Sequence, residues 1–268
     1  MKKETKISVV LPIKSGKSPF FDDYFNKAIT SVKNQGDNVD ELIIVHTDEN
    51  FLVNHLSSYD FEKLNVVLES WTEEPNFANQ VNRGVELAKS DWVSLLEFDD
   101  EYSNIWFKNV TNYIDIYQDN DVFLPVVVDV DDKGVFVGFT NEATFAANFS
   151  QEMGILTNET LLSYQNFQIS GMVFRKEVFN KYGSIKSSIK LTFGYELLLR
   201  LTYNSVKFMT IPKIGYKHTN LREGSIFWNY KNGSDRLSED EVHFWVETAK
   251  KEYFFIQDRN IKYEPQEV

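Results

Sequence analysis

The stretch SDWVSLLEFDDEYS, Ser90 to Ser103, decides the fold. Its first part is an apolar run of the length and kind a buried strand needs. Its second part sets Glu97, Asp99 and Asp100 within four positions, and Glu101 follows. Carboxylates crowded at the end of a strand repel, and each raises its neighbour's pKa unless a cation lies among them. In open α/β sheets, ligands sit beyond the carboxyl ends of the strands. A hard divalent cation, Mg2+ or Mn2+, suits an oxygen-rich cluster of this kind and keeps positions free for phosphates. A solvated acidic loop is the plain alternative, and the triplet alone does not displace it.

Outward from this stretch, the first half of the chain alternates strand and helix patterns. KISVVLP (Lys6–Pro12) is a β-branched run stopped by proline, as a central parallel strand would be. DDYFNKAITSVKNQG (Asp22–Gly36) has Phe25, Ala28, Ile29 and Val32 at helical spacing, opened by acidic residues and closed by Gly36. ELIIVH (Glu41–His46) and LNVVLES (Leu64–Ser70) read as two more strands. NFANQVNRGVELAKS (Asn76–Ser90) reads as a helix with Phe77, Val81, Val85 and Ala88 on one stripe. Strands alternating with helices imply βαβ units, parallel pairing and right-handed crossovers. The second half is less regular. Two strands flank a DDKG turn at Asp131–Gly134. A strand and short helix follow in Ile169–Gly183, a helix in Leu191–Ser205, a strand in VKFMTIP, and a final amphipathic helix in Ser238–Gln257. Ser238 and Glu241 make a capping box for that last helix. Residues 140–168 lack a clear period and suit a long functional loop or a few short helices.

With 268 residues, 42% hydrophobic and 25% charged, the chain has material for a sizeable core. No Pro-, Gly- or Ser-rich linker divides it, so one compact unit is expected. The net charge of −12 argues against a broad phosphate-binding face, which makes nucleic acid an unlikely partner. There is no cysteine, hence no disulfide and no thiolate metal site. The apolar run near the N-terminus is too short for a signal peptide, and no window reaches the roughly 18 apolar residues of a membrane span. A cytoplasmic protein is the default expectation. The sequence does not specify an oligomeric state.

Taken together, these segments resemble a family-2 nucleotide-sugar glycosyltransferase of the GT-A fold. The resemblance rests on an ordered set of motifs over roughly residues 6–226. Ser8 to Pro12 matches the opening strand of the type SVVLP. Glu41 to Asp48 matches a second strand of the type EIIVVDDGS. Asn82, Gly84 and Ala88 match a segment of the type A-R-N-x-G-x-x-x-A. Leu96 to Asp100 matches L-D-x-D-D, and Gly171 to Gly183 matches G-x-x-x-F-R-R-x-x-F-x-x-x-G. The implied fold is α/β, a mostly parallel central sheet flanked by helices, with a smaller mixed acceptor-side region. The implied division is a glycosyltransferase domain over 1–225, with a nucleotide-sugar half at 1–120 and an acceptor half at 121–225. A C-terminal helical extension, 226–268, would pack on it.

The resemblance also implies roles. Asp99, with Glu97 or Asp100 assisting and His218 completing the site, would hold the metal, and its ion would neutralise the diphosphate leaving group. Pro12 and the following loop, Ile13 to Ser18, would border the nucleoside together with Asp48. Lys14 and Lys17 would meet phosphate, Asn82 the base or ribose, and Arg222 the diphosphate. Trp71, beside Glu73 and Glu74, would border the donor or simply pack under a loop. The remaining histidines, His55 and His243, fall on helical patterns and carry no signal.

Four departures from the family pattern stand out. Glu97 occupies a usual Asp. His46-Thr47 replace the usual Asp-Asp of the second strand, with Asp48 one place later. Val81 replaces the Arg before Asn82, while Arg83 follows it. The acceptor-side motif E-D-x-D-L-x-x-R reads Phe193 to Arg200, with Gly194 where the catalytic base usually stands. Glu196, two residues on, is the replacement if the helix starts near Tyr195, and an i, i+4 partner of Arg200 if it does not.

The expected activity is metal-dependent transfer from a nucleotide sugar, UDP-linked on this reading, to a glycan or other hydroxyl acceptor, with inversion. Gly194 and the altered second-strand pair keep open a weakly active or inactive nucleotide-sugar-binding protein. A nucleotidyltransferase is a further alternative, although PIKSGKSPF holds a single glycine where that class has a glycine-rich loop. Phe145, Phe149, Tyr164 and Phe167 are aromatic candidates for contact with an acceptor.

Overall fold

The strand Ile7–Ile13 (β1) is buried along its whole length. It lies between β2 (Val39–Thr47) and β4 (Trp92–Leu95), parallel to both. Apart from Pro12 at the cleft, β1 is shielded on both faces, so a mostly apolar, β-branched run is what this position demands. Successive side chains point to opposite faces. Ile7, Val9, Leu11 and Ile13 enter one apolar cluster, beneath the helix Phe21–Lys33 (α1). Val10 enters the other, beneath Phe77–Leu87 (α3). At that contact a Cβ on Gly84 would lie 2.3 Å from a Val10 methyl, so glycine is what lets α3 approach the sheet so closely.

The computed structural model describes residues 5–73, 76–142, 155–220, 222–233 and 236–265. The remaining strands are β3 (Val66–Trp71), β5 (Glu101–Tyr102), β6 (Val122–Val130), β7 (Phe136–Thr140), β8 (Ile155–Leu156), β9 (Val173–Arg175) and β10 (Phe208–Thr219). The sheet runs β3-β2-β1-β4-β9-β6-β10-β5, with β7 added to β6 and β8 to β10. Its first four strands are parallel. The rest is mixed, because β9 pairs antiparallel with both β4 and β6, while β6 and β10 run parallel. This is the α/β architecture expected from the sequence, a central sheet with helices on both faces.

The other helices are α2 (Asn50–Ser58), α4 (Trp106–Ile116), α5 (Asn158–Ser163), α6 (Lys176–Tyr182), α7 (Phe193–Tyr203), α8 (Ile226–Asn232) and α9 (Glu239–Glu252). The capping box of Ser238 and Glu241 is formed at the start of α9. This helix seats Trp245 in the apolar cluster that α7 shares, and Tyr253 just beyond it joins them. No helix among the described residues is long and apolar enough to cross a membrane.

Candidate active site

Beyond the carboxyl ends of β1 and β4 opens a cleft of about 1110 Å3. Strand β4 stops at Leu95, earlier than the apolar run suggests, because the chain turns there. The amide of Leu96 still donates to Val10 (3.0 Å), and that of Asp100 folds back onto the carbonyl of Glu97 (3.1 Å). The turn spreads the carboxylates. Glu97 and Asp99 line the cleft, and Asp100 is fully buried behind them. Glu101 leaves the cluster: it lies in β5, opposite Lys217 of β10, and forms an ion pair with it.

That short β5–β10 pairing brings β10 to the acidic turn. His218 Nδ1 lies 3.0 Å from Asp100 Oδ2, and the Thr219 amide donates to Asp100 Oδ1 at 2.8 Å. Thr219 Oγ1 donates to the carbonyl of Asp99 at 2.7 Å. Arg222 donates through Nε to Asp99 Oδ2 at 2.5 Å and stacks over the Phe98 ring, 4.8 Å from its centroid. Glu97 accepts from Ser170 Oγ at 2.9 Å, and its amide donates to the Tyr216 hydroxyl at 3.0 Å. Gly171 keeps Ser170 in place: its φ is +72°, and a Cβ there would lie 2.6 Å from the Tyr216 ring.

Burial, then the neighbouring Asp100, pushes the Glu97 carboxyl up to about 7. Asp99 is raised for the same reasons, with Arg222 pulling the other way. For His218, burial disfavours the imidazolium, but Asp100, Glu97 and Asp99 outweigh it and lift the pKa to about 10. The cluster is therefore short of positive charge, and an imidazolium and a guanidinium hold it together. Ligand atoms of Glu97, Asp100 and His218 all lie within 4.8 Å of one another. Two carboxylates and an imidazole at that spacing could hold a divalent ion. Asp100, with both oxygens engaged and no surface, is well placed to orient His218, as carboxylates beside metal-bound histidines do.

Pro12, Lys14 and Lys17 line the same cleft, so the structure gathers them with Glu97, Asp99, His218 and Arg222. Other expected residues stand elsewhere. Asn82 closes a two-way bridge to Ile185, donating to its carbonyl (2.8 Å) and accepting from its amide (3.0 Å). It fastens a loop and is not among the cleft residues. Asp48 is exposed and outside the cleft lining. Arg83 pairs with Glu69 and Glu86 on the surface of α3.

Glu196 is the main correction. Helix α7 begins at Phe193, so the residue at position 196 turns inward. There it is fully buried, bonded to Arg200 (2.8 and 3.1 Å) and 3.0 Å from Lys186 Nζ. This is the i, i+4 pairing of the sequence reading, and it takes Glu196 away from any acceptor. Gly194 does line the cleft. Trp71 packs against the core beside α3. Phe167 lines the cleft with Tyr164 edge-on against it; Glu74, Phe145 and Phe149 lie outside the described residues.

Several cleft residues had no sequence signal. Phe193 links Phe77 (5.3 Å) to Phe227 (6.5 Å), forming an aromatic wall along the cleft. Phe227 sits in α8, whose start is capped by Ser225. An S-x-x-W step there was the available clue.

Residues 8–183 match the sequence model of the family described as Glycosyl transferase family 2. The chain belongs to glycosyl transferase family 2. No curated protein sequence matches it significantly. Among solved structures it is similar to S. aureus TarS 1–349 in complex with UDP-GlcNAc, with TM-score 0.67 and 16% identity over 91% of this chain and 65% of the other. The same TarS fragment in complex with UDP gives TM-score 0.61 and 15% identity, over 93% and 72% of the two chains. A further S. aureus TarS structure gives TM-score 0.59 and 14% identity, over 96% and 45%. The chain thus spans less than two thirds of the first of these proteins. At such identity the likeness concerns the fold, which is the GT-A fold of family-2 enzymes.

Proposed function

We propose that this family-2 protein is a metal-dependent glycosyltransferase that moves a sugar from a UDP-linked donor to a hydroxyl acceptor, with inversion. The observation that carries the reading is the charge-deficient floor of the cleft: Glu97, Asp99 and Asp100 facing His218 and Arg222 at the carboxyl end of β4. The likeness to a TarS structure holding UDP-GlcNAc supports the choice of donor.

Each part of the floor has work to do in such a reaction. Glu97, Asp100 and His218 would hold Mn2+ or Mg2+, with Asp99 beside them in the same turn and paired with Arg222. When bound, such an ion supplies positive charge for the departing diphosphate. Arg222, held to Asp99, is the side chain whose guanidinium can pass to a phosphate once other positive charge reaches that carboxylate. Lys14 and Lys17 add charge at the end of β1. Pro12 and the loop after it border the nucleoside. Across the cleft, Phe77, Phe193 and Phe227 offer faces on which a sugar ring can stack, which favours a glycan acceptor. The acidic chain disfavours nucleic acid, and a cytoplasmic location fits the lack of an apolar span.

A second reading has its own support. Glu196 is locked away and Gly194 faces the cleft, so α7 presents no carboxylate to deprotonate an acceptor. That favours a protein that binds the donor and transfers slowly. A thermal-shift panel of nucleotide sugars with and without Mn2+ tests donor binding, since a ligand stabilises by mass action. Turnover of the stabilising donor, abolished in Asp99→Ala, would establish the enzyme. Stabilisation by a donor that is never turned over would leave the binding protein.

A further inference from the structure

One side chain in the cleft has an unmet need. Gln80, on the second turn of α3, is fully buried and lines the cleft. Its Nε2 donates to the carbonyl of Ile13, the last residue of β1, at 3.0 Å and to that of Val45, two residues before the end of β2, at 3.1 Å. Two carbonyls around one end fix which end is nitrogen. The other end, Oε1, is buried and has no hydrogen-bond partner. A buried carbonyl left bare is costly, and such groups in native proteins call for an explanation.

Resting on the donor reading above, we infer that Gln80 Oε1 accepts the ring N–H of the donor's nucleobase and so selects uracil over cytosine and adenine. The acidic floor ends β4, β1 is the next strand, and Gln80 sits between β1 and β2. With strands about 4.8 Å apart, that is roughly 7 Å from the floor, the reach of a ribose between a diphosphate and its base. Other candidates in this corner are engaged or absent. Thr47 Oγ1 donates to the carbonyl of Lys14 (3.2 Å), and His46 Nδ1 lies against the carbonyl of Thr47 (2.7 Å). Asp48 is exposed and outside the cleft. The only free function of Gln80 is an acceptor, so the group it reads must be a donor. Uracil has N3–H at that edge, whereas cytosine N3 and adenine N1 carry lone pairs.

The test uses the intact chain in Mn2+ and measures calorimetric affinity for UDP, CDP, N3-methyl-UDP and 2′-deoxy-UDP. The expected result is that UDP and 2′-deoxy-UDP bind alike, and that CDP and N3-methyl-UDP bind at least tenfold more weakly. In Gln80→Met, which keeps the volume and removes the carbonyl, the ratio of UDP to CDP affinity should fall to within about threefold, even if overall stability drops. The wild-type comparison stands without the variant. N3-methyl-UDP binding within twofold of UDP, or a loss confined to 2′-deoxy-UDP, would overturn the assignment while leaving the donor reading intact. If none of these nucleotides bound, the donor reading would fail and take the assignment with it.

Discussion

Among the described residues, the buried charged side chains around Glu196 and those at the end of β4 differ in one respect. Around Glu196, every charge is answered. Arg200 donates to both of its oxygens and to the carbonyls of Tyr182, Gly183 and Ser184, and Lys186 reaches Glu196 and the carbonyl of Glu252. At the end of β4, three acidic groups share one imidazole and one guanidinium, on the wall of an open cleft. The first arrangement joins α7 to the loop before it and to the end of α9. The second is incomplete by one cation. Saturated buried charge holds a fold together; unsaturated charge beside a cavity is prepared for a ligand.

The comparison breaks most visibly if Glu196 is removed. Glu196→Ala leaves Lys186 and Arg200 without their main carboxylate, and breaking a buried pair from one side costs about 3–5 kcal/mol. Chemical denaturation should show that loss, with donor affinity unchanged in whatever protein remains folded. A variant of full stability with lost turnover would put Glu196 back in the active site. Asp99→Ala should do the reverse. Losing one electrostatic stabiliser of a transition state lowers turnover by about 10²–10³-fold, while the melting temperature moves little, because Arg222 can turn to the cleft. Paired turnover and thermal unfolding measurements on the two variants should give opposite profiles.

A smaller effect, and of opposite sign, is expected at Gly194. Its φ is ordinary, and a Cβ there would meet Ile169 at 3.5 Å, a normal contact. Gly194→Asp should fold at least as well as the parent, since an acid in the first turn of α7 faces the positive end of the helix dipole. General bases contribute about 10²–10⁴-fold when well placed, so a tenfold or greater gain in transfer to a glycan acceptor is the expected outcome in a turnover assay. No gain would mean that the acceptor needs no base from α7.

The N-terminal half was legible because its signals are local. β1, β2 and α3 follow from apolar periodicity, and Gly84 and the acidic turn fall where the motifs put them. Helix α4 was missed, although Trp106, Phe107, Val110 and Ile114 recur at helical spacing. What could not be read depends on distant pairings. β5 is two residues long, yet its register with β10 carries His218 to Asp100 and takes Glu101 away from the cluster. For Glu196 the local pattern left two roles open, a displaced base or an i, i+4 partner of Arg200, and nothing local reveals that Lys186 also waits for it. Asn82 matched its motif and serves a bridge to Ile185, 103 residues on. Motif identity told where these residues lie in the chain, and tertiary contacts decided what they do.

The last consequence separates the two groups by titration. In the cleft, Glu97 goes from 4.5 to about 7 on folding, and His218 from 6.5 to about 10. Both groups hold protons more tightly folded than unfolded, so wherever their titrations differ, the folded chain carries the extra proton and loses stability as pH rises. Without metal, the melting temperature should fall from about pH 5 toward pH 10, first through Glu97 and then through His218. Adding Mn2+ should reverse the trend, because the ion competes with those same protons and binds more tightly as they leave. Calorimetry in buffers of different ionisation enthalpy should find about two protons released per Mn2+ at pH 6 and about one at pH 8. The Glu196 network lies outside the cleft, with both carboxylate oxygens bonded to Arg200, and offers no ligand atom to the ion. If Mn2+ bound with no proton release and no change in the slope of stability against pH, the acidic turn would be a self-contained ion cluster like the one around Glu196.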